Sequence, residues 1–219
     1  MSFKFVTSTA IAGALAGLTL FASIAGAALI KGTSGDNALN GTPNADLIRA
    51  FAGNDTIAAG DGPDIVRAGK GNDNASGDGG HDWVFGGAGD DTLAGGTGND
   101  RVHGGSGNDT ASGGEDNDRV GAGKGDDTVN GDGGNDTLFG GWGSDTVNGG
   151  DGNDRLHALA PDKQPDVLNC GPGVDVAFIR ASEQATTTTD GQCEKVKIVR
   201  VTTVDQQNGE NVDTDAQAE

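Results

Sequence analysis

Gly95 to His103 reads GGTGNDRVH, and Gly104 to Ser112 reads GGSGNDTAS. These are two copies of one nine-residue unit that runs from Gly32 to His157, fourteen times without a slip in register. Position 6 is Asp in thirteen copies: Asp46, Asp55, Asp64, Asp73, Asp82, Asp91, Asp100, Asp109, Asp118, Asp127, Asp136, Asp145 and Asp154. The first copy carries Asn37 there. Position 8 is aliphatic throughout, from Leu39 and Ile48 to Val147 and Leu156. Position 4 is Gly in twelve copies, with Asn44 and Asp116 as the departures. Composition alone would suit a disordered Gly/Asp tract. An aliphatic residue at every ninth place does not follow from low complexity.

The unit resembles the repeats-in-toxin, or hemolysin-type, calcium-binding nonapeptide GGxGxDxUx. The resemblance covers more than half of the chain. It implies an all-β fold, a parallel β-roll solenoid in which two units make one turn, with Ca²⁺ held between stacked loops. In that frame positions 1–6 are the loop and positions 7–9 a very short strand. Position 8 then points inward and positions 7 and 9 face solvent. Gly at positions 1, 2 and 4 permits the positive φ of a sharp loop.

Coiling every eighteen residues would stack Asp91, Asp109, Asp127 and Asp145 in one column and Asp82, Asp100, Asp118 and Asp136 in another. Carboxylates at the strand spacing of roughly 4.8 Å repel by about 3–4 kcal/mol at an effective dielectric of 20. A divalent cation reverses that sign. Carboxylate and carbonyl oxygens are hard donors that suit Ca²⁺, and a flexible carbonyl-rich loop suits octahedral Mg²⁺ less. His81, His103 and His157 share no ligand spacing for a transition metal. The thirteen position-6 aspartates are therefore the candidate ligands for several calcium ions. The Asn and Asp residues at position 5 read first as local turn formers. The irregular copies at 32–60 predict weak or missing sites.

The chain has 219 residues, 33% hydrophobic and 4% aromatic, without a Tyr. Such material suits a quasi-one-dimensional stack better than a conventional core. A net charge of −19 argues against nucleic acid as a partner and for cations. Lys4, the uncharged run from Phe5 to Ile24 and Ala25-Gly26-Ala27 fit a secretory signal peptide over residues 1–27, cleaved after Ala27. The mature chain is then secreted and extracellular, with no membrane attachment. An uncleaved anchor is the alternative, because the run is long for a signal. An N-terminal signal also departs from the C-terminal one common among repeats-in-toxin exporters.

The β-roll is placed at 28–157, a C-terminal cap at 158–204 and an acidic disordered tail at 205–219. After His157 one copy is lengthened by three residues over 158–165, and the pattern resumes at Asp166 and again at Cys170 to Asp175. The CGPGVD stretch with a later Cys resembles the terminal cap of secreted bacterial repeat proteins of this type. Cys170 and Cys193 are the only cysteines, and a disulfide between them in an exported chain would contribute roughly 3 kcal/mol. Lys195 to Val204 reads as a last strand.

No catalytic constellation is recognisable, so an enzyme is not expected. Parity divides the strand residues sharply. Odd copies carry Thr56, Thr92, Thr110, Thr128 and Thr146, a small polar face. Even copies carry Arg67, Trp83, Phe85, Arg101, Arg119, Phe139 and Arg155, a candidate partner face for an acidic polysaccharide or for self-association. Three roles remain open: a calcium-dependent structural or adhesion module, a calcium sensor or buffer without a macromolecular partner, and an ordered-water or ice-binding surface on the Thr face.

Overall fold

A computed structural model describes residues 26–199, with 183, 185 and 186 left out. The expected signal peptide lies almost wholly outside the described residues, as do the end of the last strand beyond 199 and the acidic tail. The described residues form nineteen strands and no helix. All strand pairs are parallel, in one ten-stranded and one nine-stranded sheet whose members alternate along the chain. The fold is a parallel β-solenoid.

The register states the repeat in space. Trp83 pairs with Arg101 and Val84 with Val102, while Thr92 pairs with Thr110 and Leu93 with Ala111, each eighteen residues on. The offset becomes twenty-one where the insertion at 158–165 intervenes, so that Thr146 meets Val167 and Arg155 meets Val176. Both sheets then continue through Thr188–Thr189 and Lys195–Val199.

The strands are longer than the expected three residues. Trp83–Ala88 and Arg101–Ser106 are typical, running through positions 7–9 and on into positions 1–3 of the next copy. Glycine is a poor strand former, but stacking identical turns in register provides each of these backbones with a partner above and below. The burial pattern of Thr92–Thr97 shows two inward residues, position 8 (Leu93) and position 1 of the next copy (Gly95). Position 8 side chains from both sheets therefore build the core, among them Ile48, Val66, Val84, Leu93, Val120, Leu138 and Leu156, all buried. Position 1 adds Ala50, Ala59, Ala68 and Ala122. Two aliphatic side chains per turn, each worth about 1.5–3 kcal/mol on burial, are a small return for ordering eighteen residues.

Positions 2 and 4 turn the chain. Gly96 and Gly98 hold φ of +117° and +107°. A β-carbon on Gly98 would strike the carbonyl of Gly80 in the preceding turn. Asp116, one of the position 4 departures, adopts a φ of 79°, left-handed backbone that Asp tolerates better than bulkier residues.

Cys170 and Cys193 are joined in a disulfide, with Cα atoms 5.2 Å apart. Cys170 is fully buried.

Candidate metal centre

Position 6 ends each loop just before a strand and carries its side chain inward. The backbone N–H of Asp82 donates to Oδ1 of Asp100 at 2.7 Å, that of Asp100 to Asp118 at 2.8 Å and that of Asp118 to Asp136 at 2.8 Å. In the other column Asp91 donates to Asp109, Asp109 to Asp127 and Asp127 to Asp145. Each carboxylate thus closes the turn before it through a single oxygen. The second oxygen, Oδ2, is buried and unpartnered in twelve of the thirteen expected aspartates, all except Asp46.

An unpartnered buried carboxylate oxygen is costly. Burial pushes Asp64, Asp91, Asp118, Asp136 and Asp145 up to about 7. Asp82, Asp100, Asp109 and Asp127 rise to about 6 for the same reason. The backbone N–H of the preceding turn works against this rise, and for most of them a stacked carboxylate adds to it. Carboxylates this buried and this closely stacked call for a counter-charge.

Position 1 shows where the free oxygens point. A β-carbon on Gly95 would stand 2.5 Å from Asp100 Oδ2 and 2.5 Å from the carbonyl oxygen of Gly113, one turn on. On Gly77 it would stand 2.5 Å from Asp82 Oδ2 and 2.6 Å from the Gly95 carbonyl. Oxygens of two successive turns converge on a cradle that only glycine leaves open. Hard oxygen donors from carboxylate and main chain fit a calcium ion.

The loops are not equivalent. Asp46 has no free oxygen, because Oδ2 accepts from the Thr42 N–H at 2.6 Å and Oδ1 from Ala28 N and Thr42 Oγ1. In four loops position 1 is Ala50, Ala59, Ala68 or Ala122, whose methyl occupies the direction that glycine leaves free beside Asp55, Asp64, Asp73 and Asp127. Replacing Gly104 by Ala would bring a methyl against Asp109 Oδ2 and the Ala122 carbonyl. With an overpacking cost of about 1–3 kcal/mol, its calcium midpoint is expected to rise. A titration followed by circular dichroism reads this directly, and an unchanged midpoint would disprove the cradle.

Position 5 differs from the sequence expectation. Its Asn and Asp side chains bond across turns rather than within their own loop. Asn117 N–H donates to Asn99 Oδ1, Asn135 to Asn117 and Asn153 to Asn135, all 2.9–3.0 Å. His81 Nδ1 takes the same place for Asn99 N–H, which gives that histidine a structural position rather than a ligand one. This ladder runs from each turn back to the previous one, opposite in sense to the aspartate ladder.

The aspartate columns also extend beyond the expected set. Asp145 N–H donates to Asp166 and Asp154 N–H to Asp175, and Asp175 N–H ends one column on Glu194 Oε2 at 2.6 Å. The signal for these members was present in DVLN at 166–169 and CGPGVD at 170–175, displaced by the insertion.

All seven residues of the candidate partner face lie in the strands of the ten-stranded sheet. Arg67 stands over the Phe85 ring at 5.8 Å, Arg101 over Trp83 at 5.0 Å and Arg119 over Phe139 at 4.4 Å. Trp83 is 45% exposed. Trp83, Arg101 and Arg119 border a shallow groove of about 540 Å³ with Asn99, Asn117 and Asn135. The C-terminal half of the face is closed: Phe139 is buried and stacks on His157, which stacks in turn on Phe178, at centroid distances of 4.4 and 4.5 Å. Arg155 covers Phe178 at 4.9 Å. Burial, with Arg155 and Arg119 nearby, pulls His157 down to about 3 and keeps it neutral.

The family model of RTX calcium-binding nonapeptide repeats, four copies long, matches residues 31–66, 59–93, 85–120, 94–129 and 121–156. These matches together span more than half of the chain. No curated protein matches significantly.

Proposed function

The chain belongs to the RTX calcium-binding nonapeptide-repeat family and binds calcium, and from that premise we propose that its ions lie between successive loops, held by the unpartnered Oδ2 atoms of the position-6 aspartates. The observation that carries this reading is the row of buried, unpaired Oδ2 atoms beside main-chain carbonyls. Asp82, Asp91, Asp100, Asp109, Asp118, Asp136, Asp145 and Asp154, each with Gly at position 1, are the strongest ligands. Asp55, Asp64, Asp73 and Asp127 sit beside alanine and bind more weakly, and Asp46 does not bind. A bound calcium supplies the counter-charge that the carboxylate columns lack. The aspartates position the loops through Oδ1 and present Oδ2 to the ion.

Equilibrium dialysis of the full chain with calcium, and with magnesium as control, tests this. Several calcium ions per chain are expected, with fewer or weaker ones after Asp109→Ala. Undiminished binding in that variant would overturn the ligand assignment.

We propose a biological role on the same basis. The protein is a secreted, non-enzymatic module of extracellular surfaces, delivered by the signal peptide at 1–27. Its roll at 28–157 is sealed by the cap at 158–204 and followed by the acidic tail. Arg67, Trp83, Phe85, Arg101 and Arg119 are its contact face, and an acidic polysaccharide is the partner that their chemistry fits. Guanidinium groups pair with carboxylates while aromatic rings stack on the sugar chain. With calcium saturating, Trp83→Ala combined with Arg101→Ser is expected to lower binding to an acidic glycan about tenfold or more, as loss of contact anchors does. If glycan binding is unchanged but self-association falls, the face serves a second copy of the chain instead.

A further inference from the structure

The loop at 170–175, inside the cap, carries a cysteine at position 1, where the preceding loops carry glycine or alanine. Residues 170–175 stack on residues 149–154, as Gly152 N–H donates to the Pro172 carbonyl at 3.0 Å and Asp154 N–H to Asp175 Oδ1 at 2.8 Å. In this register Cys170 stands at position 1. A β-carbon on Gly149 would lie 2.6 Å from Asp154 Oδ2 and closer still to the carbonyl oxygen of Cys170. The cradle seen at Gly95 is thus rebuilt, with a half-cystine carbonyl in place of a glycine carbonyl. Asp154 is 1% exposed and its Oδ2 has no partner.

Among the described residues, few contacts besides the disulfide hold Cys170 from the C-terminal side. Its N–H donates to Asp190 Oδ2 at 3.1 Å, and the strand Val167–Asn169 that leads into it is paired beyond by two residues, Thr188 and Thr189. The covalent link from Cys170 to Cys193 fixes the carbonyl at the edge of the roll. Cys170 also carries a side chain in the direction that glycine leaves open in the preceding loops. On the rung that follows, the disulfide joins the two turns.

We propose that a calcium site is formed between loops 149–154 and 170–175 by Asp154 Oδ2 and the Cys170 carbonyl oxygen, and that this site couples calcium binding to the Cys170–Cys193 disulfide. The proposal rests on the ligand reading above and extends it outside the matched repeats, which end at residue 156. Coupling between sites is reciprocal. The disulfide strengthens the last ion by holding its carbonyl ligand, and the ion makes the disulfide harder to reduce by the same factor. Reduction by an external dithiol transfers two electrons and two protons to the S–S bond, leaves two thiols and oxidises the dithiol to its own disulfide.

The test uses the oxidised full chain equilibrated with dithiothreitol, with thiols trapped by alkylation and counted by mass, in calcium, magnesium or chelator. Saturating calcium is expected to raise the dithiothreitol needed for half-reduction by about fivefold or more, the lower end for coupled sites. Asp154→Asn should lose most of that protection. Glu115→Gln, which removes an exposed carboxylate outside both columns, should keep it. Conversely, the Cys170→Ser/Cys193→Ser double variant should bind one calcium fewer, or bind its last one at least fivefold more weakly. Full protection in a folded Asp154→Asn chain would overturn the proposal. So would unchanged calcium binding in the double variant, which decides the matter if Asp154→Asn does not fold. A wild-type chain that binds calcium while its disulfide ignores it refutes this coupling alone. A chain that binds no calcium refutes the ligand reading as well.

Discussion

In excess chelator the chain is expected to lose most of its β-sheet circular dichroism and to regain it cooperatively in millimolar calcium. The reason lies in the balance within one turn. Two inward aliphatics, such as Val84 and Leu93, are the apolar return on eighteen ordered residues. Against them stand two buried carboxylates per turn, each with an oxygen that finds no donor. A structure of this kind does not preform its site in the unfolded chain, so binding free energy becomes folding free energy. The affinity is expected on the order of 10⁻⁴–10⁻³ M, as for extracellular calcium modules. Retention of a complete sheet spectrum in chelator at neutral pH would show that packing and the backbone ladders suffice alone. Magnesium at the same concentration should restore much less of the signal, since it holds its water and demands a tighter octahedron.

Much of this architecture is legible in the nine-residue period. The aliphatic at position 8 dictates an inward column, and parity gathers the strand Arg and aromatic residues onto one sheet and Thr56, Thr92, Thr110, Thr128 and Thr146 onto the other before any coordinates are known. Two cysteines flanking the end of the repeat point to the disulfide that the structure contains. What the period hides are interactions that depend on stacking. Positions 1–3, with glycine at most of positions 1 and 2, read as loop by propensity, yet parallel pairing in register converts them to strand, as in Thr92–Thr97. Asn99 and Asn117 read as local turn formers, but a side chain one turn away offers the better partner. Asp46 looks like every other position-6 aspartate. Only the fold reveals that Thr42, four residues earlier, satisfies it. Asp166 and Asp175 belong to the columns but fall out of phase after the insertion, so a fixed nine-residue frame passes over them. The difference between glycine and alanine at position 1 was visible in the sequence. Its meaning was not, because it depends on Oδ2 of a residue five places on and a carbonyl eighteen places on.

The same aspartates make the calcium requirement depend on pH in a direction opposite to ordinary acid denaturation. Without calcium, Asp64, Asp91, Asp118, Asp136 and Asp145 titrate at about 7 in the folded roll, and Asp82, Asp100, Asp109 and Asp127 at about 6, against an ordinary value of 3.8. A carboxyl group whose folded value is raised binds its proton more tightly when folded. Its contribution to stability is fully present below about 4 and is lost as pH rises through 6 to 7. Each tenfold difference in proton affinity is about 1.4 kcal/mol, and nine groups move together. In chelator, sheet structure should therefore be greater at pH 5 than at pH 8, because protonation removes the charge that calcium otherwise neutralises. With calcium present the sign reverses for binding, since a ligand must shed its proton before it holds the ion. The calcium midpoint should move to higher concentration as pH falls from 8 to 5, even as the metal-free roll gains structure. Circular dichroism across a grid of pH and calcium resolves both trends. If chelated protein instead gains sheet on going from pH 5 to pH 8, the buried aspartates are not what holds the metal-free chain open.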